Sequence, residues 1–146
     1  MNARILSFLA VVATGALALA GCGGVSSDEQ ARRAYLGLDR AIEKALKLGF
    51  DGFNAATSAN IPEQSTSGDE TGTLRVTGQV DQGASVNKEM RLRVGLANYS
   101  DGEIELGDGE TIQITYNTAG TPDAQPALDV SLHNIPNGTL TGTLVG

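Results

Sequence analysis

The sequence has little cysteine and few aromatic residues. It contains one cysteine, no tryptophan, three tyrosines and three phenylalanines. A single cysteine excludes a disulfide bond within one chain, so packing alone must stabilise the folded domain. With so few aromatic side chains, we also do not expect a sugar-binding platform lined by stacked rings.

Basic residues are scarce as well. Ten lysines and arginines stand against 17 aspartates and glutamates, which gives a net charge of -7. Nucleic-acid phosphates attract lysine and arginine, and anionic lipid surfaces attract clusters of the same residues. The composition therefore argues against a nucleic-acid partner and against a basic contact with lipid headgroups.

Familiar catalytic and cofactor motifs are missing: there is no GxGxxG, P-loop, paired-cysteine or HExxH pattern. Asp129, Ser131 and His133 are the ingredients of a nucleophilic triad. On one strand, however, they stand about 6.6 Å apart per two-residue step, whereas a triad needs hydrogen bonds of about 3 Å. We therefore expect His133 to be an exposed strand residue, and we expect neither enzymatic activity nor a cofactor.

An acidic run is the one candidate for a metal site. Its members are Asp101, Glu103, Glu105, Asp108 and Glu110. Calcium takes several oxygen ligands, but the spacing misses the EF-hand loop, because Leu106 occupies the mid-loop glycine position. We favour a solvated acidic edge over a bound metal, since charge runs commonly serve solubility.

Three arginines form a possible basic spot on this acidic protein. Arg75, Arg91 and Arg93 would share the polar face of two adjacent strands, where they could bind an anionic ligand. The alternative is cross-strand pairing with neighbouring acids, which is the more common outcome.

The N-terminal segment has the layout of a secretory signal peptide. Residues 5–20 are almost wholly apolar and follow Arg4. The run is shorter than the roughly 20 residues that span a bilayer, and small residues follow it. A basic start, an apolar middle and a small-residue end are typical of a cleaved signal.

This segment ends in Leu19-Ala20-Gly21-Cys22, which resembles the bacterial lipobox. The resemblance implies a diacylglyceryl group on the Cys22 thiol, cleavage just before Cys22, and acylation of the new N-terminus, for example with palmitate. Each buried methylene contributes about 0.8 kcal/mol, so two or three chains would hold the protein to a membrane. The alternative is an ordinary cleaved signal that leaves a free cysteine.

Gly23 follows the cysteine where the inner-membrane retention signal of that family would be an aspartate. The resemblance therefore favours the outer membrane of a two-membrane cell. Residues 22–27 are small and predict a flexible tether.

An amphipathic helix is predicted after the tether. Ser26, at capping-box spacing from Glu29, or Ser27 would cap its start, and Gly49 would follow its end. We place the helix at about 28–48, with Phe50 and Phe53 packing just beyond it, so that the amphipathic segment covers 28–53.

The apolar stripe of this helix has two interpretations. Its members are Ala31, Tyr35, Leu38, Ile42 and Ala45, broadened by Leu46. We expect the stripe to cover a sheet of the same domain. The alternative is a coiled-coil seam with a partner, which alanines at key positions would make weak.

Residues 54–71 show no hydrophobic periodicity and predict a flexible loop. From Gly72 onward, apolar and polar residues alternate with a period of two. Such alternation predicts strands with one buried face. The apolar positions are Leu74, Val76, Val80, Met90, Leu92, Val94, Leu96, Ile104, Leu106, Ile112, Ile114, Tyr116, Leu128, Val130, Leu132, Leu140 and Leu144.

Short connections between these strands contain the turn dipeptides Asp101-Gly102, Asp108-Gly109 and Asn137-Gly138. Short connections favour sequential antiparallel neighbours. The predicted fold class is therefore mainly β: an antiparallel meander over 72–146, closed as a small β-sandwich or barrel, with the helix packed on it.

Together these features predict a lipid-anchored lipoprotein of the bacterial cell envelope. We expect a non-catalytic, structural or protein-interaction role, with the membrane as one partner and another envelope protein as a candidate partner. The alternative is a module that binds a small ligand or an ion. An envelope hydrolase is disfavoured because no nucleophile and base are suitably spaced.

Overall fold

One helix precedes seven strands in the described part of the chain, residues 27–105, 109 and 111–146 of a computed structural model. The helix is α1 (Asp28–Ala55), and a short 3-10 turn covers Pro122–Ala124. The strands are β1 (Gln64–Ser67), β2 (Thr71–Val80), β3 (Lys88–Ser100), β4 (Glu103–Glu105), β5 (Thr111–Gln113), β6 (Ala127–His133) and β7 (Thr139–Val145).

Five strands form one antiparallel sheet in the order β1-β2-β3-β6-β7, and β4 and β5 form a separate hairpin. The predicted antiparallel sheet with a helix packed on it is confirmed. The predicted closure into a sandwich or barrel is wrong, because β1 and β7 lie at opposite edges. Helix α1, rather than a second sheet, covers the apolar face, so the fold is α+β and not mainly β.

Strand β3 is the centre of the sheet. It is 13 residues long and pairs with β2 on one side. On its other side, residues 88–93 pair with β6, while the second half pairs with a segment around Tyr116. There Tyr99 and Tyr116 exchange backbone hydrogen bonds of 3.0 and 2.8 Å. The β4–β5 hairpin is thus an excursion that interrupts the predicted meander between β3 and β6.

The predicted alternation is confirmed in the central strands. One face of β2, β3 and β6 is buried and apolar, as expected for a sheet with one covered face. Its buried members are Leu74, Val76, Val80, Met90, Leu92, Val94, Leu96, Leu128 and Val130.

Helix α1 begins where one of the predicted caps stands. The Ser27 hydroxyl accepts a hydrogen bond of 3.2 Å from the Gln30 backbone N–H, which satisfies one of the unpaired donors of the first turn. The predicted end at residue 48 is wrong, because the helix continues through Gly49 to Ala55. A Cβ atom on Gly49 would lie 2.5 Å from Leu92 Cδ1, so this glycine permits close packing instead of ending the helix.

The buried face of α1 matches the predicted stripe at Ala45 and differs from it elsewhere. Tyr35 is 67% exposed, and Leu38 and Ile42 are only half-buried. The fully buried positions are Gly37, Ala41, Ala45, Gly49 and Gly52. Small residues thus face the sheet and let the helix approach it closely, while the larger side chains flank the contact.

Strand β1 lies within the segment that we predicted to be a flexible loop. Its register pairs Gln64 with Val76 and Ser67 with Thr73, and the nearby Ile61 is buried. The loop prediction is therefore wrong for residues 64–67. Backbone hydrogen bonds hold this short polar edge strand, so its sequence shows no apolar alternation.

Candidate binding groove and sheet edge

Helix α1 leaves the β7 side of the apolar sheet face uncovered. It packs mainly on β1, β2 and β3, and a gap opens between the helix and the β6–β7 half. This gap, which we name the apolar groove, has a volume of about 350 Å³. The apolar side chains that line it include Leu38, Ile42, Val94, Leu96, Leu128 and Leu144.

The groove is lined mainly by apolar side chains. Strand register places Leu128 between Leu92 and Leu144 on one sheet face. Among the described residues that line it, none is Asp, Glu, Lys, Arg or His, and Tyr116 is the one with an ionisable side chain. The Tyr116 hydroxyl donates a 2.7 Å hydrogen bond to the Ala34 carbonyl. Burial, and then the charge of Asp101, raises the pKa of Tyr116, so this hydroxyl remains a donor at neutral pH.

A second hollow continues the uncovered apolar face towards the other end of β6 and β7. It measures about 340 Å³, and Phe50, Leu132 and Leu140 contribute to its lining. His133 stands at its border and is exposed. The two hollows therefore lie towards opposite ends of the β6–β7 pair, where β7 is exposed along its whole length while Leu128 and Val130 of β6 are buried.

Among the described residues, strand β7 has a free edge, which we name the β7 edge. It pairs with β6 on one side and is the last strand of the sheet on the other. All seven of its residues are exposed, including Leu140 at 48% and Leu144 at 38%. Exposed apolar edge strands are sites where another strand can add.

A polar cluster at the end of β3, away from β7, joins helix α1 to the sheet. Lys44 Nζ lies 2.6 Å from Asp101 Oδ1 and 3.0 Å from Asp69 Oδ1. The Tyr99 hydroxyl donates to Asp101 Oδ2 at 2.8 Å, and the Asp69 backbone N–H donates to Asp101 Oδ1 at 3.1 Å. The cluster thus joins α1 to the end of β3 and to the turn before β2.

The cluster favours the charged forms of Asp101 and Lys44 and the neutral form of Tyr99. Burial alone would raise the pKa of Asp101, but the hydrogen bonds from Lys44, Asp69 and Tyr99 outweigh it and hold that pKa below its usual range. Burial alone would lower the pKa of Lys44, but its bonds to Asp101 and Asp69 raise it above the ordinary value. Burial, followed by the bond to Asp101, raises the pKa of Tyr99 to about 12. The cluster is therefore a structural clamp with complementary charges at neutral pH.

The acidic candidates that the structure describes are Asp101, Glu103 and Glu105. The carboxylate of Asp101 is occupied by the clamp, while Glu103 and Glu105 are exposed on β4. Asp108 and Glu110 lie outside the described residues. Among the residues that the structure describes, no group of three or more His, Cys, Asp or Glu side chains could hold a metal ion.

The Asp129, Ser131 and His133 set is spread along β6. Asp129 lies opposite Thr143, and His133 lies opposite Thr139. No hydrogen bond joins these three side chains to one another within the described residues. The structure thus gives no triad geometry at this strand.

The three arginines lie on the open face of the sheet, as predicted. Arg75 pairs with Glu63 at 3.3 Å, and Arg91 pairs with two carboxylates at 3.1 and 3.5 Å. Arg93 donates to the Gln125 carbonyl at 3.4 Å. Two of the three positive charges are therefore neutralised, in line with the ion-pairing alternative.

A small polar depression lies beside these arginines. It measures about 190 Å³ and is lined in part by Thr73, Arg75, Asn117 and Gln125. Ligand pockets commonly measure roughly 300–1,000 Å³, so the apolar groove is the better-sized cavity.

Sequence reasoning missed both the clamp and the groove. Asp101 was assigned to a turn, and nothing in its spacing of 57 positions from Lys44 indicates a contact. The groove follows from where α1 crosses the sheet, which the apolar stripe did not indicate correctly.

The predicted lipid-attachment segment, Leu19, Ala20, Gly21 and Cys22, lies outside the described residues. Within the part that is described, no helix combines the length and apolar character needed to cross a membrane.

Comparison with known proteins gives no relative: the chain matches no protein-family model, no curated protein and no solved structure.

Proposed function

We propose that this protein is a lipid-anchored lipoprotein of the bacterial cell envelope with a non-catalytic, protein-interaction role. The observation that supports lipid anchoring is the sequence Leu19-Ala20-Gly21-Cys22 at the end of an apolar N-terminal segment. Gly23, in place of a retention aspartate, favours the outer membrane.

The uncovered apolar face supports the interaction role. The apolar groove and the β7 edge adjoin one another, because Leu144 belongs to both. Contiguous apolar surface on a small domain commonly marks a contact with another macromolecule. Tyr116 is the only ionisable side chain among the described residues that line the groove, which fits binding better than catalysis.

Replacing Cys22 by serine tests the anchor. We expect wild-type protein in the membrane fraction as a chain that begins at Cys22 and carries added acyl mass. The C22S variant should be released from the membrane or remain unprocessed, since a hydroxyl does not replace the thiol that receives the lipid. Mass spectrometry of extracted protein and fractionation of the two membranes make the measurement.

A conservative change two positions before Cys22, A20S, serves as the control, because it keeps a small residue at that position. If the C22S variant stays membrane-bound and correctly cleaved, the lipoprotein proposal is wrong.

A second candidate function is binding of a small apolar ligand in the groove. Its volume of about 350 Å³ falls within the range of roughly 300–1,000 Å³ that ligand pockets occupy. We expect an apolar fluorescent dye to bind, and the I42Q variant to weaken that binding by about tenfold, because a polar amide replaces one groove wall. Fluorescence titration gives the measurement.

Tyr35 offers a matched control for this titration, because it is a large side chain on the exposed surface of the same helix. The Y35Q variant should bind the dye like wild type. Equal binding by wild type and both variants would contradict a ligand site in the groove.

A further inference from the structure

The sequence of β7 is nearly the same read in either direction. Around Gly142, Thr141 matches Thr143 and Leu140 matches Leu144; only the ends, Thr139 and Val145, differ. An antiparallel pair of two such strands, centred on Gly142, would place like residues opposite one another. Self-complementarity of this kind is what a twofold interface between identical chains requires.

We propose that the β7 edge pairs with the β7 edge of a second copy of this chain. The twofold axis would pass through Gly142, and the two five-stranded sheets would become one antiparallel sheet of ten strands. Leu140 would lie opposite Leu144 of the second copy, and Thr141 opposite Thr143. The backbone groups on the free side of β7 would gain partners, as in other cases of strand addition.

The charge pattern fits a second copy of the same chain. Residues 139–145 contain no charged residue and no proline, although natural edge strands commonly carry such residues to prevent pairing. The opposite edge is protected: β1 has only four residues, Pro62 lies just before it, and its flank carries the Glu63–Arg75 ion pair. A neutral strand meets its own copy without like-charge repulsion, so the β7 edge is the one suited to self-pairing.

Pairing would also reduce the uncovered apolar area. Leu140 and Leu144, which are 48% and 38% exposed, lie on the sheet face that α1 partly covers. The axis runs perpendicular to the sheet, so both helices stand on the same face and the two apolar grooves adjoin across the new junction.

Two seven-residue strands make a small contact, and the pairing gains from the proposed function in one respect. Chains held on one membrane meet at a raised local concentration. The inference rests on the proposed function for this concentration effect, while the self-complementary edge is independent of it.

Two charge variants test the pairing. In T141K/T143K, the lysine at position 141 faces the lysine at position 143 of the second copy. Like charges directly opposite one another weaken strand pairs. In T141E/T143K, the introduced acid at position 141 faces the introduced base at position 143 of the second copy. Both positions are exposed, and Asp129, opposite position 143 within the chain, accommodates a base there.

The measurement is sedimentation equilibrium of the full chain in detergent over a range of protein concentrations, with circular dichroism to verify folding. We expect a wild-type dimer, a dissociation constant raised by about tenfold or more in T141K/T143K, and a dimer retained in T141E/T143K. A wild-type chain that is monomeric throughout, or a dimer that ignores T141K/T143K, overturns the proposal. Loss of the dimer in both variants overturns the register about Gly142.

The two proposals fail separately in this experiment. Absence of acyl mass on Cys22 would overturn the anchor and leave the dimer measurement unaffected. A lipidated chain that is monomeric in detergent would overturn the strand pairing alone.

Discussion

Replacing Asp101 by alanine is expected to lower the free energy of unfolding by about 3 kcal/mol, because it leaves a partly buried ammonium and a buried hydroxyl without their shared acceptor. The Asp101 side chain is 11% exposed and accepts from Lys44 and Tyr99. Tyr99 is fully buried and has no other hydrogen-bond acceptor among the described residues. Urea unfolding at neutral pH, followed by circular dichroism, measures the change.

Asp69 provides a control within the same clamp. Its carboxylate also contacts Lys44 at 3.0 Å, but it is 72% exposed. Exposed ion pairs contribute about 0–1 kcal/mol, so D69A should cost far less than D101A. Equal losses for the two variants would contradict the clamp as we describe it.

The loss in D101A should depend on pH. The clamp holds the pKa of Asp101 below its usual range, so the carboxylate stabilises the fold fully above the unfolded-state pKa of about 3.9. That contribution is lost as pH falls through the folded-state pKa. The difference in unfolding free energy between wild type and D101A should therefore be constant near neutral pH and shrink in acid. A difference that grows as the pH falls would be inconsistent with this sign.

Replacing Gly49 by leucine should destabilise the domain by about 2–3 kcal/mol through overpacking. In an exposed helix the same change would stabilise, by roughly 0.5–1 kcal/mol, since leucine is the better helix former. At Gly49 the first added carbon already lies 2.5 Å from Leu92 Cδ1, so either the buried Leu92 side chain or α1 must shift. Thermal and urea unfolding of G49L give the size of the effect.

Ala31 and Leu92 supply the controls for this prediction. The A31L variant adds a similar bulk to an exposed turn of α1 and should change stability by less than about 0.5 kcal/mol. The L92A substitution removes the atoms that the new side chain meets. The loss of unfolding free energy in G49L/L92A should therefore be smaller than the sum of the losses in the two single variants. Strict additivity of the two losses would show that the close approach of α1 to β3 is not the reason for a small residue at position 49.

The parts of the fold that depend on local pattern could be predicted from the sequence. Period-two alternation indicated the buried face of β2, β3 and β6, and Ser27 was one of two predicted helix caps. These signals lie within a few residues of one another, so no tertiary information is needed to use them.

The buried face of α1 was not predictable in the same way. Hydrophobic periodicity favours the largest apolar side chains, such as Tyr35 and Leu38, as the buried stripe. In this fold the helix lies so close to the sheet that Gly37, Ala41 and Gly49 face it. Small side-chain volume, and not high hydrophobicity, thus decides which residues of α1 face the sheet. How small these side chains must be depends on the opposing surface, which the sequence of the helix does not show.

The candidate site depends on the same missing information. The groove exists because α1 crosses the β1–β3 half of the sheet, and the clamp exists because the fold brings Lys44 beside Asp101. Neither position carries a motif. The β7 edge was visible in the sequence as an alternating strand, but its place at the end of the sheet follows only from the β3–β6 pairing.

The one-sided position of α1 also has a consequence for the way in which the native state fluctuates. In a single chain that is not paired with a second copy, strands β2 and β3 are covered by the helix and have neighbours on both sides, whereas β7 has one neighbour among the described strands and is exposed. Local opening of a protein starts where few contacts must be broken. Detachment of β7 from β6 therefore requires less free energy than separation of β2 from β3, and the amide hydrogens of β7 exchange with solvent through a partial opening that leaves the helix and the central strands folded.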